Sequence, residues 1–86
     1  MKNEIKESVE AAKSGLEQLT GFIDPRVIGI NQESDEWHIT VEITEKSSAA
    51  PNLDLLGIYD VRVDASGNFL GYERIRMRKR CEKDNY

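Results

Sequence analysis

Arginines occupy every second position near the C-terminal end of the sequence. They are Arg74, Arg76, Arg78 and Arg80. Alternate residues of a β-strand point to the same face, so this spacing predicts a row of guanidinium groups along one face of a strand. Like charges side by side repel one another unless negative groups face them. The arginine row therefore requires an acidic partner, either within the chain or outside it.

Three kinds of partner fit the arginine row. Carboxylates of the same chain, such as Glu42 and Asp60, would pair across strands, each exposed pair contributing about 0.2–1 kcal/mol. An acidic protein surface would accept bidentate hydrogen bonds from the guanidinium groups. A nucleic-acid backbone would bind them as well, with Tyr72 available for stacking on a base. The sequence leaves these alternatives open.

Residue types that catalyse reactions or bind metals are few. His38 is predicted on the solvent side of a strand, and the sequence singles out no group that would orient it as a base. Cys81 is the single cysteine and cannot form an internal disulfide. The acidic residues match no calcium loop and no metal-hydrolase spacing. These are Glu42, Glu45, Asp54, Asp60 and Asp64. We expect no enzymatic activity, no metal and no cofactor.

Length and composition indicate one small domain. The chain has 86 residues, of which 38% are hydrophobic and 33% charged, so a thin core is expected. No apolar run is long enough to span a membrane, and the acidic N-terminal stretch differs from a secretory signal, which predicts a cytoplasmic protein. The net charge of -4 hides a split between -7 over residues 1–61 and +3 over residues 62–86.

An amphipathic helix is predicted over residues 3–20. Its apolar residues recur at steps of three and four, which places them on one stripe. They are Ile5, Val9, Ala12, Leu16 and Leu19. Gly21 is expected to end the helix in a left-handed conformation, and Gly15 suggests a close neighbour within the last turns.

Four strands are predicted after the helix. Asp24-Pro25 indicates a turn, and a short first strand is predicted at residues 27–30. Alternation from Trp37 to Thr44 predicts the second strand, and the third is predicted at residues 55–63. The fourth runs from Phe69 to about Arg80, joined to the third by a hairpin loop with Gly67 near its end.

The expected fold is α+β, with one N-terminal amphipathic helix packed on a four-stranded antiparallel sheet. The helix is expected to cover the face that carries Trp37, Ile39, Val41 and Ile43, joined by alternate residues of the third strand and by Ile75 and Met77. The arginine row would then point to the other face. Residues 1–86 form one domain, in which residues 81–86 are expected to fray.

Three motifs in this order resemble the gas vesicle protein O family. The first is W-x-x-x-x-E-x-x-E from Trp37 to Glu45, and the second is P-x-x-D-x-L-x-x-Y from Pro51 to Tyr59. The third is D-x-x-G-x-x-x-G-Y-x-R from Asp64 to Arg74. The resemblance covers most of residues 15–80 and also includes the helix end at residues 19–21.

The resemblance implies a non-enzymatic accessory protein for making gas vesicles, the protein-walled flotation organelles. Its partners would then be other gas vesicle proteins, both shell and accessory, bound during assembly in the cytoplasm or on the vesicle. Such binding would keep an aggregation-prone shell subunit soluble. Seven residues, taken from the motifs and the arginine row, are the predicted partner-binding set: Glu42, Asp54, Tyr59, Tyr72, Arg74, Arg76 and Arg78.

Two further expectations concern partners. In the alternative function, the protein regulates gas vesicle gene expression by binding nucleic acid through the basic strand, with an affinity that falls steeply with added salt. The net negative charge makes nucleic acid the less favoured partner. The open edge strands of a four-stranded sheet would also permit a homodimer. Neither expectation involves a membrane.

Overall fold

A computed structural model describes residues 2–50 and 53–81, with side chains from Ile5 onward. The helix α1 (Lys2–Thr20) is followed by four strands: β1 (Ile23–Glu33), β2 (Glu36–Lys46), β3 (Leu55–Asp64) and β4 (Phe69–Lys79). Each strand pairs antiparallel with the next, in the order β1-β2-β3-β4. The predicted α+β class is therefore confirmed. The frayed tail predicted for residues 81–86 lies, except for Cys81, outside the described residues.

The core lies between α1 and one face of the sheet, which we call the helix-side face. β2 contributes Ile39, Val41 and Ile43, and β3 contributes Tyr59, Val61 and Val63, all of them buried. The alternation of β2 and β3 therefore buries the predicted residues. The opposite face, which we call the open face, carries Glu42 of β2 and the even-numbered residues of β3 from Leu56 to Arg62.

The buried side of α1 differs from the predicted stripe. Ala12 and Leu16 are fully buried, but Leu19 at the end of the helix is 61% exposed and Ile5 is exposed as well. Ser8, a small polar residue, is buried instead. The helix is therefore rotated about its axis relative to the predicted stripe. The apolar periodicity missed this because a small polar residue such as Ser8 can pack closely against a sheet as well as an apolar one can.

The predictions for two glycines near the C-terminal end of α1 are confirmed. Gly21 has a φ of 75°, and its amide donates to the Glu17 carbonyl at 2.9 Å, as expected for a left-handed cap. A Cβ on Gly15 would overlap the ring of Phe69, which packs on the helix at this point. Gly15 therefore lets β4 contact α1.

β1 is much longer than predicted. Asp24 and Pro25 lie within the strand, at an irregularity in its pairing with β2, and Asp24 has a φ of 55°. The predicted turn at Asp24-Pro25 is therefore wrong. The polar cluster after Ile30 also extends the strands, which meet at a two-residue turn of Ser34 and Asp35. Polar residues are accommodated here because an edge strand is exposed to solvent.

The hairpin between β3 and β4 is confirmed. Gly67 has a φ of 87°, and the Asp64 carboxylate accepts the amides of Ser66 and Asn68 at 2.9 and 2.8 Å. These hydrogen bonds, that of Asn68 first, hold the pKa of Asp64 below its ordinary value. The loop chemistry read from the sequence therefore fixes the register of this hairpin.

A β-bulge in β4 divides the arginine row. Ile58 pairs with Arg76 while Tyr59 pairs with Arg74, so that Ile75 is the extra residue. Arg76 and Arg78 lie on the open face, but Arg74 lies on the helix-side face. The predicted single row is wrong, and so is the predicted burial of Ile75 under the helix. An extra residue inverts the alternation on one side of it.

Candidate interaction surface

The seven predicted binding residues fall into groups on both faces of the sheet. Tyr59, Tyr72 and Arg74 meet on the helix-side face, beside α1. Glu42, Arg76 and Arg78 lie on the open face. The seventh, Asp54, precedes β3 and contacts Arg80. The structure thus brings together residues that are distant in sequence, but it does not bring all seven into one site.

A buried carboxylate, that of Glu45, organises the helix-side group. Arg74 donates to it through Nε and Nη2, at 3.1 Å to Oε2 and 2.7 Å to Oε1. The Tyr59 hydroxyl donates to the same Oε2 at 2.6 Å. The Arg74 guanidinium also lies 5.9 Å from the centre of the Tyr59 ring, within cation–π range. We call these three residues the Glu45 cluster.

Gly57 makes room for the Glu45 carboxylate. A Cβ at Gly57 would overlap the carboxylate itself, so the close approach requires glycine. Burial, and next the hydrogen bond to Glu45, raise the pKa of Tyr59 above its ordinary value of 10.0. The cluster therefore combines a neutral phenol, a carboxylate and a guanidinium in one hydrogen-bonded unit.

Tyr72 extends the Glu45 cluster to the molecular surface. Its ring centre is 5.8 Å from that of Tyr59 and 6.2 Å from that of Phe69, both in tilted contacts. Tyr72 is 42% exposed and the Arg74 side chain is 46% exposed. One face of each side chain is therefore fixed by the protein while the other is accessible to solvent.

A second carboxylate, Glu42, organises the open face. Arg78 of β4 reaches across β3 and donates to Glu42 Oε2 from Nε at 3.1 Å and from Nη2 at 2.6 Å. Arg26 of β1 donates to Oε1 at 3.2 Å. Leu56 and Ile58 are buried on this face and pair with Arg78 and Arg76, whose aliphatic stems are suited to covering them.

Asp54 fastens the loop before β3 to the end of β4. Its Oδ1 accepts the Ser48 amide at 2.7 Å, and its Oδ2 lies 3.4 Å from Arg80 Nη2. The Arg80 amide also donates to the Asp54 carbonyl at 2.9 Å. Asp54, Glu42 and Tyr59 are all buried, so they position other groups, whereas Arg74, Arg76 and Tyr72 are exposed.

His38 has more neighbours than the sequence indicated. Its Nδ1 lies 3.1 Å from Asp60 Oδ2, and its Nε2 lies 3.2 Å from Glu33 Oε1 and 3.5 Å from Glu36 Oε1. Within residues 2–50 and 53–81, no group of histidine, cysteine and carboxylate side chains has the arrangement of a metal site. No helix in the same residues is long and apolar enough to cross a membrane.

Sequence reasoning missed two of the residues that shape this surface. Arg26 was not predicted to contribute, because the first strand was predicted to begin at residue 27 and in fact begins at Ile23. Glu45 is in the first motif, but nothing in the sequence connects it with Arg74. The bulge at Ile75 turns Arg74 toward Glu45. An isoleucine at this position gives no sequence signal for a bulge.

These features define a small α+β domain in which two buried carboxylates hold arginines at the surface of a sheet. The chain belongs to the gas vesicle synthesis protein GvpO family, whose family model matches residues 1–84. The family resemblance in the motifs is thereby confirmed, and the chain is related to gas vesicle formation. No solved structure matches it significantly.

Three curated relatives are similar over most of the chain. Gas vesicle protein O of a Streptomyces species is 32% identical over 76 residues, which are 88% of this chain and 59% of the relative. Gas vesicle protein O of Haloferax mediterranei is 33% identical over 72 residues, or 83% and 49%. Gas vesicle protein O1 of Halobacterium salinarum is 32% identical over 73 residues, or 83% and 56%. The chain thus spans about half the length of these relatives.

Proposed function

We propose that this protein is a non-enzymatic accessory factor that binds other gas vesicle proteins in the cytoplasm during vesicle assembly. The process, gas vesicle synthesis, is that of the family, and the side chains on the surface of the sheet would make the contacts with partners. Tyr72 and Arg74 make direct contact with the partner in this proposal, with Arg76 and Arg78 on the other face. Glu42, Asp54 and Tyr59 position these residues from within.

The observation that supports this proposal is the fixed position of Arg74. A mobile arginine side chain loses about 2 kcal/mol of rotamer entropy when it is immobilised at an interface. The Glu45 carboxylate and the Tyr59 ring already fix Arg74, so binding would incur less of that cost. Tyrosine and arginine are also the residue types that contribute most to binding energy in protein interfaces.

The carboxylates beside the arginines also make nucleic acid the less favoured partner. Backbone binding depends on clustered positive charges that are not neutralised within the protein. Carboxylates lie within hydrogen-bonding distance of Arg74 and Arg78, and Asp54 lies 3.4 Å from Arg80. We therefore expect no gel shift with gas vesicle transcripts or promoter DNA at moderate ionic strength. A salt-sensitive shift would instead favour the regulatory function.

The proposal is tested by co-purification with co-expressed gas vesicle proteins. Arg74→Gln keeps an amide donor for Glu45 but removes the charge. We expect its affinity for the partner to fall by about tenfold or more, as truncation of a central interface residue does. Tyr72→Ser is a second variant, which leaves both partners of Glu45 in place and is expected to weaken binding similarly.

Arg62→Gln is the matched control for Arg74→Gln. The Arg62 side chain is 45% exposed, almost the same as Arg74, but it lies on the open face of β3, 3.8 Å from Glu36. We expect this variant to retain binding, and circular dichroism of all three variants separates lost contact from lost fold. Equal binding by Arg74→Gln, Tyr72→Ser and Arg62→Gln would contradict the proposal.

A further inference from the structure

We infer that a groove on the open face binds a segment of a partner protein in which an apolar side chain is flanked by a carboxylate. The groove, which we call the open-face groove, has a volume of about 490 Å³ and runs over Gly29 and Thr40 between Ile28 and Ile75. Arg26, Glu42 and Arg78 form its polar end. The inference rests on the proposed function, since the partner would be a gas vesicle protein.

The walls of the groove come from two separate β-bulges. In β1 the register with β2 shifts between Val27 and Gly29, which makes Ile28 the extra residue. In β4 one of two extra residues is Ile75. Bulges redirect side chains, and here each one brings an isoleucine to the same groove from an opposite edge of the sheet. Ile28 is 40% and Ile75 is 54% exposed, so both have apolar surface left to bury.

The floor of the groove is open because Gly29 has no side chain. A Cβ at Gly29 would lie 3.5 Å from Thr40, an ordinary contact, and the residue does not have a positive φ. Neither the backbone nor a close neighbour therefore requires glycine here. A larger residue would fit the fold and fill the groove.

The polar end of the groove presents an exposed guanidinium, that of Arg26. Arg26 and Arg78 both contact the carboxylate of Glu42. Arg78 is largely buried, whereas the Arg26 side chain is 69% exposed and contacts Glu42 through one terminal nitrogen. A guanidinium has five N–H donors, so Arg26 can bind a second carboxylate while it keeps the first.

Charge and apolarity together select the chemistry of the occupant. An apolar side chain of the partner would bury the exposed surfaces of Ile28 and Ile75, and an adjacent aspartate or glutamate would pair with Arg26. A purely apolar segment would offer no carboxylate to the exposed N–H donors of Arg26. A purely acidic one would leave the isoleucines exposed to water.

A synthetic peptide tests this inference with a probe of defined chemistry in place of the partner. The probe is acetyl-Gly-Leu-Glu-Leu-Glu-Leu-Gly-amide, titrated into the full chain and followed by amide chemical shifts. Matched peptides replace both glutamates with glutamine, or all leucines with serine. We expect saturable shifts at Gly29, Thr40 and Ile75 with the probe, and affinities lower by about tenfold with either matched peptide.

Two protein variants block the groove in different ways. Gly29→Val fills the floor and should suit a strand, because β-branched residues favour strands. Arg26→Gln removes the exposed guanidinium and leaves the pair of Arg78 and Glu42 in place. We expect either change to weaken probe binding by about tenfold, while Arg62→Gln, on the same face but outside the groove, leaves it unchanged.

Several results would overturn the inference. They are the absence of saturable shifts with the wild-type chain, shifts centred away from the groove, equal binding of the serine peptide, and undiminished binding by folded Gly29→Val. A dimer seen by sedimentation that Gly29→Val dissociates would assign the groove to a second copy of the chain. If the probe fails while Arg74→Gln still weakens co-purification, the groove inference fails and the proposed function stands.

Discussion

At the scale of single residues, two buried carboxylates account for the positions of three arginines. Glu45 binds Arg74 on one face of the sheet, and Glu42 binds Arg78 and Arg26 on the other. Removal of Glu45 would take away the group that orients Arg74, and removal of Glu42 would do the same for Arg78 and Arg26. These acidic residues therefore determine where the arginines lie on the two faces of the sheet.

Tyr59 provides a test of the Glu45 cluster that does not involve a partner. Because its pKa is raised in the folded protein, the neutral phenol stabilises the fold below pH 10.0, and this contribution is lost as the pH rises through the folded pKa. We expect Tyr59→Phe to lower the free energy of unfolding at pH 8 by about 1.5–3 kcal/mol, the range for a hydrogen bond to a charged group.

The measurement is urea unfolding of the wild type and Tyr59→Phe between pH 8 and pH 11. The difference between the two proteins should shrink above pH 10.0, since the variant has no phenol to ionise at this site. Tyr72→Phe, which alters an exposed ring on the neighbouring strand, is the control. A constant difference over the whole range would contradict the arrangement of the cluster.

At the scale of elements, Gly15 determines how closely α1 packs on the sheet, because the Phe69 ring of β4 lies against it. Replacement of glycine by alanine within a helix normally gains about 1 kcal/mol. At Gly15 the added methyl group would overlap the Phe69 ring, and overpacking costs about 1–3 kcal/mol. We therefore expect Gly15→Ala to lower the melting temperature, against the intrinsic preference of the helix.

Ser14→Ala is the control for this prediction, because Ser14 is exposed on the same turn. We expect it to change stability by no more than about 0.5 kcal/mol, and in the stabilising direction. Differential scanning calorimetry of both variants makes the comparison. A higher melting temperature for Gly15→Ala than for the wild type would show that Phe69 does not pack there.

The strands also show where sequence patterns are informative. Alternation identified β2 and β3 closely, because a strand with one face buried under a helix must bury every second residue. It misplaced Tyr72, Arg74 and Ile75, because two extra residues in the edge strand β4, Leu70 and Ile75, invert the pattern between them. Helix periodicity likewise found α1 but missed its rotation, since Ser8 packs closely without being apolar.

At the scale of the whole molecule, the two faces of the sheet offer different surfaces. The helix-side face presents Tyr72 and Arg74 beside α1, and the open face presents the groove between β1 and β4. The sequence indicated Tyr72 and the arginines of β4, but it did not indicate Arg26 of β1. It did not indicate their division, which depends on contacts between strands that are far apart in sequence.

The central claim is that the surface around Tyr72 touches other gas vesicle proteins during assembly, and site-specific photo-crosslinking measures this directly. Benzoylphenylalanine replaces Tyr72 in one version of the protein and Gln32, exposed on β1 at the opposite edge of the sheet, in a second. Both are expressed with the gas vesicle gene cluster in cells that form vesicles. The account predicts crosslinks to gas vesicle proteins from position 72 and few from position 32. Vesicles that form with no crosslink from position 72, or with equal yields from both positions, would contradict it.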